Sequence, residues 1–105
     1  MAIKVFTKEK GIIRKISEQK SVLNLLTKND SDKLSVGKIT ATNLDLKTNT
    51  DSDRAYYILN GELLIDEESG KTGDVIFVTS GSEYTMKGTF EAVLVNSPPF
   101  GFNQE

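Results

Sequence analysis

The chain has 105 residues, a length that allows one small domain. It carries 13 Lys and Arg against 15 Asp and Glu, and a net charge of −2 argues against a nucleic-acid binder that relies on a basic face. Cys and His are both absent, which excludes disulfides, thiolate or imidazole metal ligands, and catalytic triads built on histidine.

The N-terminus has no apolar run of signal-peptide length, and no stretch approaches the ~18 apolar residues of a membrane span. We therefore expect a cytoplasmic protein with neither a membrane nor a nucleic acid as partner. Residues 1–50 carry ten basic and five acidic side chains, whereas residues 51–105 carry three basic and ten acidic ones. Because the basic residues are dispersed, we interpret this asymmetry as two halves that pack on each other, within a chain or across a dimer.

The N-terminal third has the least regular pattern. Apolar residues at 12–16 and 21–26 predict two short strands, although some of them also fit a poorly spaced helical stripe. The polar run at 29–32 predicts a loop. Side chains then alternate from residue 36 to residue 46, with Gly37, Ile39 and Ala41 on one side, which predicts a longer strand.

The second half of the chain shows short strand patterns separated by turn residues. The predicted strands cover residues 55–59, 62–66, 75–78, 84–87 and 89–96. Asn60-Gly61 is the strongest short-range signal for a β-hairpin, and Gly88 is expected to separate the last two strands. Many short strands at roughly 8–12-residue spacing, without βαβ alternation, predict an all-β sandwich or barrel.

Residues 54–88 resemble the cupins, which are small double-sheet jelly-roll barrels. The second cupin motif is a glycine, five residues, Pro-x-Gly, two residues, His, three residues and Asn. Gly73 and Gly81 stand at its two glycine positions. The proline, histidine and asparagine of the motif are replaced here by Thr79, Tyr84 and Gly88.

The first cupin motif ends in a glutamate that is followed, after six residues, by a glycine. Arg54 and Gly61 match this spacing, with Arg in place of Glu. The cupin domain of ethanolamine-utilisation proteins is a closer analogy, because it also lacks the histidines. Its strands are similar to segments 57–61 and 73–77 of this chain.

The resemblance implies an all-β, cupin-type double-stranded β-helix (jelly-roll barrel) that spans residues 1–105 as one domain. Residues 1–33 then form N-terminal strands or an arm, and residues 34–100 form the barrel. Small cupins commonly pair through their sheets or exchange N-terminal strands, so the resemblance also implies a homodimer. The apolar residues of Ile3–Ile16 are the candidate pairing segment.

Metal-binding cupins hold their ion with His-x-His, the glutamate of the first motif and the histidine of the second. Four other residues occupy those positions here: Thr48, Thr50, Arg54 and Tyr84. A neutral hydroxyl is a poor ligand for a divalent transition metal, and a guanidinium repels one. The resemblance therefore predicts a cupin that uses no metal and no other cofactor.

Strand alternation suggests what the barrel holds instead. If Arg54 points into the barrel, then Tyr56 does so too, and Tyr84 joins them from the facing sheet. With the hydroxyls of Thr48 and Thr50 nearby, such a pocket suits a small polar or anionic ligand, either carbohydrate-like or carboxylate-like. We therefore predict a small-molecule ligand, and we favour binding over catalysis.

Three alternatives remain at this point. In the first alternative, Arg54 forms a salt bridge with Asp51, Asp53 or Glu83 and plugs the barrel. In the second, the protein is a metal-independent sugar isomerase, epimerase or lyase, with Tyr84 and Glu83 as candidate catalytic residues. In the third, the protein is a structural or interaction module whose barrel is vestigial.

Overall fold

The computed structural model describes residues 3–101, which form a short 3-10 turn and seven β-strands. The turn spans Lys8–Lys10, and the strands are β1 (Ile12–Ser17), β2 (Lys20–Leu26), β3 (Ser35–Asn49), β4 (Asp53–Ile65), β5 (Glu68–Lys71), β6 (Val75–Val78) and β7 (Glu83–Ser97). All pairs are antiparallel, in the order β1-β2-β3-β7-β4-β5, and β6 also pairs with β4. Within these residues, no helix has the length and apolar character needed to cross a membrane.

Three long strands, β3, β4 and β7, contribute to both halves of the sheet. The register of β3 on β7 shifts between Ala41 and Leu44, and that of β4 on β7 shifts between Ile58 and Asn60. Such irregularities bend a strand and increase its twist. Each long strand therefore passes from one half of the sheet to the other, and the sheet curls around its inner face.

One hydrogen bond across the interior demonstrates this curvature. Arg54 lies opposite Asn96 near one end of β7, yet its Nη1 donates to the phenol oxygen of Tyr84, near the other end, at 2.8 Å. Along a straight strand the twelve residues from Tyr84 to Asn96 would cover roughly 40 Å. The two ends of β7 therefore face each other across a barrel.

The predicted hairpin at Asn60-Gly61 and the predicted break at Gly88 are both wrong. Gly61 lies inside β4 with φ of 84°, and Gly88 lies inside β7 with φ of 128°. A Cβ on Gly61 would collide with the backbone carbonyl of Thr89, and a Cβ on Gly88 would collide with that of Glu62. These glycines permit β4 and β7 to approach closely at their bend, so long-range pairing overrides the local turn signal.

The inner face of the sheet is the core. Gly37, Ile39 and Ala41 are buried, as the alternation along β3 predicts. Ile39 of β3, Ile58 and Leu63 of β4 and Met86 of β7 are among the large side chains that are fully buried. Burial of such side chains is the main favourable term that stabilises a barrel of this size.

The N-terminal third forms strands β1 and β2, so the strand interpretation of residues 12–16 and 21–26 is confirmed and the helical stripe is not. Among the described strands β1 pairs with β2 alone, and all six of its residues are exposed. Ile12 and Ile13 are 68% and 73% exposed, which leaves an apolar edge strand. The homodimer that we expect through Ile3–Ile16 stays a prediction.

Candidate functional site

Arg54 is the centre of a polar cluster inside the barrel. It is the second residue of β4 and lies directly opposite Asn96 on β7, so the two side chains share the inner face. Arg54 Nε donates to Asn96 Oδ1 at 2.7 Å, and both residues are buried. Burial alone would lower the pKa of Arg54, but the phenols of Tyr56 and Tyr84 raise it, so the guanidinium stays charged throughout the physiological range.

Two tyrosines from opposite sides of the barrel meet beside this guanidinium. Tyr56 follows Arg54 by two residues on β4 and therefore faces the same way. The hydroxyl oxygens of Tyr56 and Tyr84 are 2.6 Å apart, and Tyr84 also accepts the hydrogen bond from Arg54. Burial, together with Tyr84, raises the pKa of Tyr56 despite the opposing effect of Arg54, so Tyr56 remains a neutral phenol.

Arg54 is not part of an ion pair within the described residues. Asp53 accepts a hydrogen bond from the backbone N–H of Ser80, and Glu83 pairs with Lys47 at 3.1 Å. The ion pairs within residues 3–101 all involve lysines with exposed acidic neighbours. The salt-bridge alternative for Arg54 is therefore wrong: the guanidinium is held by the side-chain amide of Asn96 and the hydroxyl of Tyr84.

The other candidate residues differ in their position: Thr48 lies beside the cluster, whereas Thr50 and Glu83 do not belong to it. Thr48 is opposite Tyr84 in the β3–β7 register and is half-buried. The hydroxyl of Thr50 is buried, donates to the carbonyl of Ser52 and accepts from the N–H of Ser52, so it stabilises a loop. Glu83 is exposed on the outer side, away from the inward-facing phenol of Tyr84. The structure therefore brings together Arg54, Tyr56 and Tyr84, but neither Thr50 nor Glu83.

Sequence reasoning missed Asn96 within this cluster and three residues close to it, which are Arg14, Lys20 and Phe100. The ring centre of Phe100 lies 5.2 Å from Arg14 Cζ and 5.9 Å from Arg54 Cζ. Burial, reinforced by the positive charges of Arg54 and Arg14, lowers the pKa of Lys20 to about 8. The register of β1 and β2 would have placed both cations on the inner face, but the sequence left open whether these segments are strands.

The residues at the metal-ligand positions of the cupins do not suit a divalent transition metal ion. The position of the first-motif glutamate holds a guanidinium, and the position of the second-motif histidine holds a phenol that accepts from it. A divalent cation there would face Arg54 at close range, with neutral oxygens as ligands. Within residues 3–101, no three acidic side chains come together as an alternative metal site.

The curled antiparallel sheet with a polar cluster inside it is the cupin fold. No model of a known protein family and no curated protein matches the chain. Among solved structures it is similar to the putative ethanolamine utilization protein EutQ of Salmonella typhimurium, with 23% identity and a TM-score of 0.70 over 76% of this chain and 70% of that one. This similarity agrees with the resemblance to ethanolamine-utilisation cupins.

Two further structures share the fold over most of their length. KdgF from Halomonas sp. has 8% identity and a TM-score of 0.76, covering 90% of this chain and 94% of that one. Pac13, described as a nucleoside dehydratase, has 16% identity and a TM-score of 0.73, covering 92% of this chain and 83% of that one. At these identities the similarity establishes the fold and leaves the function to the site itself.

Proposed function

We propose that this protein binds a small anionic or hydroxylated molecule, carboxylate-like or carbohydrate-like, inside the barrel and without a metal ion. The observation that carries the proposal is Arg54, a buried guanidinium with no acidic partner among the described residues. A buried charge costs stability unless an opposite charge approaches it. An anionic ligand supplies that charge.

The hydrogen bonds of the cluster leave capacity for such a ligand. A guanidinium has five N–H donors in a planar fork, and within residues 3–101 only Nε and Nη1 of Arg54 have acceptors. Asn96 and Tyr84 fix the orientation of the fork, which lowers the entropy lost on binding. The paired phenols of Tyr56 and Tyr84 offer further donors and acceptors for hydroxyl groups of the ligand.

We favour binding over catalysis because of the state of the candidate catalytic groups. The hydroxyl of Tyr84 already accepts from Arg54 and is hydrogen-bonded to Tyr56. Burial raises the pKa of Tyr56, so this second phenol is a weak general base near neutral pH. Glu83 is exposed and paired with Lys47. A metal-independent isomerase, epimerase or lyase would need a different base in contact with the substrate.

The experiment is a ligand screen by thermal unfolding, followed by calorimetric titration. The probes are glucuronate, gluconate, pyruvate, glucose and uridine, and a ligand of the folded state raises Tm with its concentration. We expect the acids to raise Tm and Arg54→Met to abolish the rise. Lys47→Met, which removes an exposed cation on the outer side, is the matched control and should retain the response.

Failure of every probe, or an equal response in Arg54→Met, would contradict the proposal and favour the interaction module with a vestigial barrel. The metal-free part has its own test, which is metal content by mass spectrometry on protein prepared without a histidine tag. We expect substoichiometric transition metal. About one tightly bound ion per chain would contradict the proposed absence of a metal.

A further inference from the structure

The inner face of the barrel carries two cations besides Arg54. Arg14 on β1 lies opposite Val22 on β2, which in turn lies opposite the fully buried Ile39. Lys20 on β2 lies opposite the buried Ala41. Directly opposed residues of antiparallel strands share a face. Arg14, which is exposed, and Lys20, which is half-buried, therefore lie on the same face of the sheet as Arg54.

Phe100 joins the two guanidinium groups. Its backbone N–H donates to the hydroxyl of the buried Ser35 at 2.9 Å, which fixes the ring beside the barrel. Cation–π contacts at 5.2 Å and 5.9 Å then hold Arg14 and Arg54 around one aromatic ring. Phe100 is 41% exposed and Arg14 is exposed, whereas Arg54 is buried, so this group of charges extends from the surface into the interior of the barrel.

No carboxylate balances these charges within the described residues. The inner positions of β1, β2, β3 and β4 in this half of the barrel hold apolar, amide, hydroxyl or basic side chains. Burial is the main cause that lowers the pKa of Lys20 to about 8, and the positive charges of Arg54 and Arg14 add to this shift because the three cations repel one another. Such repulsion is relieved when an anion enters between them.

We propose that Arg14, Lys20 and Arg54 form one phosphate subsite beside Phe100, so that the ligand of this barrel is a phosphomonoester of a small hydroxylated molecule. This inference rests on the proposed function and narrows its ligand class. The phosphate lies among the three cations. The hydroxylated part extends toward Tyr56, Tyr84 and Asn96.

The charge count favours a phosphomonoester over a monocarboxylate. Near neutral pH a phosphomonoester carries a charge of about −1.5 to −2 and three acceptor oxygens, whereas a carboxylate carries a single charge and two oxygens. Two guanidinium forks and an ammonium offer more donors than one carboxylate accepts. A phosphate therefore compensates more of the charge and satisfies more of the donors.

The first test compares matched probes. Glucose 6-phosphate, glucuronate and glucose share a sugar ring and differ in charge, and calorimetry gives the Kd of each. We expect glucose 6-phosphate to bind at least about tenfold more tightly than glucuronate, and glucose to bind weakest. Lys20→Met should weaken glucose 6-phosphate by about tenfold or more and glucuronate much less. Lys38→Met, an outward lysine paired with Glu91 at 3.3 Å, should change neither.

The second test uses the titration of Lys20 itself. The charged groups that face it are Arg14 from β1 and Arg54 from β4. Its paired positions toward β3 and β7 are Ala41 and Phe90, and the 3-10 turn that packs on β2 has only exposed side chains. A phosphate dianion favours the protonated amine. Binding at pH 8 should therefore take up protons, and affinity should fall by up to about tenfold between pH 7 and pH 9.

Lys20→Arg separates this effect from a general loss of structure. It keeps the positive charge but does not titrate in this range. We expect it to bind glucose 6-phosphate with an affinity that is independent of pH between 7 and 9 and with no proton uptake. The same pH dependence in the wild type and in Lys20→Arg would overturn the role of Lys20.

The two proposals fail differently. Equal affinity for glucuronate and glucose 6-phosphate, with no effect of Lys20→Met, overturns the phosphate subsite and leaves carboxylate binding at Arg54 intact. If Arg54→Met loses all binding and Lys20→Met binds like the wild type, the phosphate subsite is likewise overturned and anion binding at Arg54 is retained. Absence of binding by every charged probe overturns both proposals together.

Discussion

The cations on the two sides of the sheet differ in what they face. On the outer side, Lys38 pairs with Glu91 at 3.3 Å and Lys47 pairs with Glu83 at 3.1 Å. On the inner side, Arg54 contacts an amide, a phenol and an aromatic ring, and no carboxylate among the described residues. Exposed pairs contribute about 0–1 kcal/mol. An uncompensated inner charge costs stability, and that cost is typical of a binding site.

The largest expected effect concerns ligand binding and Arg54. Arg54→Met removes the charge and both observed hydrogen bonds, so binding of an anionic ligand should weaken at least about 100-fold, or about 3 kcal/mol. Calorimetric titration measures this loss, with circular dichroism as the check on folding. Lys47→Met should bind like the wild type. Arg54→Lys should fall between them, and an unchanged Kd in Arg54→Met would remove the distinction between inner and outer cations.

The second effect concerns Lys20, whose replacement is expected to raise the stability of the folded protein. The pKa of Lys20 is lowered to about 8 in the folded protein from 10.5, so between these pH values the unfolded chain binds more protons than the native one. The free energy of unfolding therefore rises as pH increases through this range. Below pH 8 Lys20 is protonated in the folded protein, and its positive charge destabilises the fold to the full extent. Lys20→Met should stabilise the protein at pH 7 by on the order of 2 kcal/mol.

Urea unfolding at several pH values checks this prediction. The advantage of Lys20→Met over the wild type should shrink as pH rises from 8 toward 10.5. Lys38→Met loses only an exposed pair and should lie within about 0.5 kcal/mol of the wild type throughout. A destabilised Lys20→Met at pH 7 would mean that the inner cations are compensated.

An effect of similar size is expected at the tyrosine pair. Tyr84→Phe removes the acceptor for Arg54 and the partner of the Tyr56 hydroxyl, which should lower the unfolding free energy by about 1–3 kcal/mol. Tyr57→Phe removes a hydroxyl from an exposed side chain of β4, the strand that carries Tyr56, and should cost less than about 0.5 kcal/mol. If thermal unfolding shows equal losses of stability in Tyr84→Phe and Tyr57→Phe, the hydrogen bonds on the inner face do not stabilise the protein more than an exposed hydroxyl does.

The smallest expected effect on folding is at the outer side of β1. Ile13 is 73% exposed, so Ile13→Glu should change the stability of an isolated chain by less than about 0.5 kcal/mol. If the expected homodimer forms through this edge, the same substitution should convert it to a monomer by light scattering. A monomeric wild type at micromolar concentration would refute the dimer.

The fold and the centre of the cluster could be predicted from strand alternation together with the resemblance to the cupins. Alternation along β4 fixes Arg54 and Tyr56 on the same face, and the glycine spacing of the cupins aligns Tyr84 with them. The alternation is a local pattern that a single strand carries. The barrel closure that brings Tyr84 to Arg54 came from the resemblance to a known fold and not from periodicity.

The remainder depends on long-range geometry that local patterns do not carry. Gly61 and Gly88 resemble turn residues in sequence, but they serve the close approach of β4 and β7. The face of the sheet on which Lys20 and Arg14 lie is determined by the pairing of β1 with β2 and of β2 with β3. Phe100 reaches the site through a hydrogen bond to Ser35, 65 residues away. Each of these needs the register before its role is visible.

The most direct test of the unpaired inner charge is nuclear magnetic resonance of the Arg54 Nε–H group during titration with glucuronate and with glucose 6-phosphate. We predict a saturable shift of this resonance, with an amplitude that identifies Arg54 as a contact, while the resonances of Lys47 stay fixed. A resonance of Arg54 that does not move while ligand binds elsewhere, or that does not move at saturating concentrations of both probes, would contradict it.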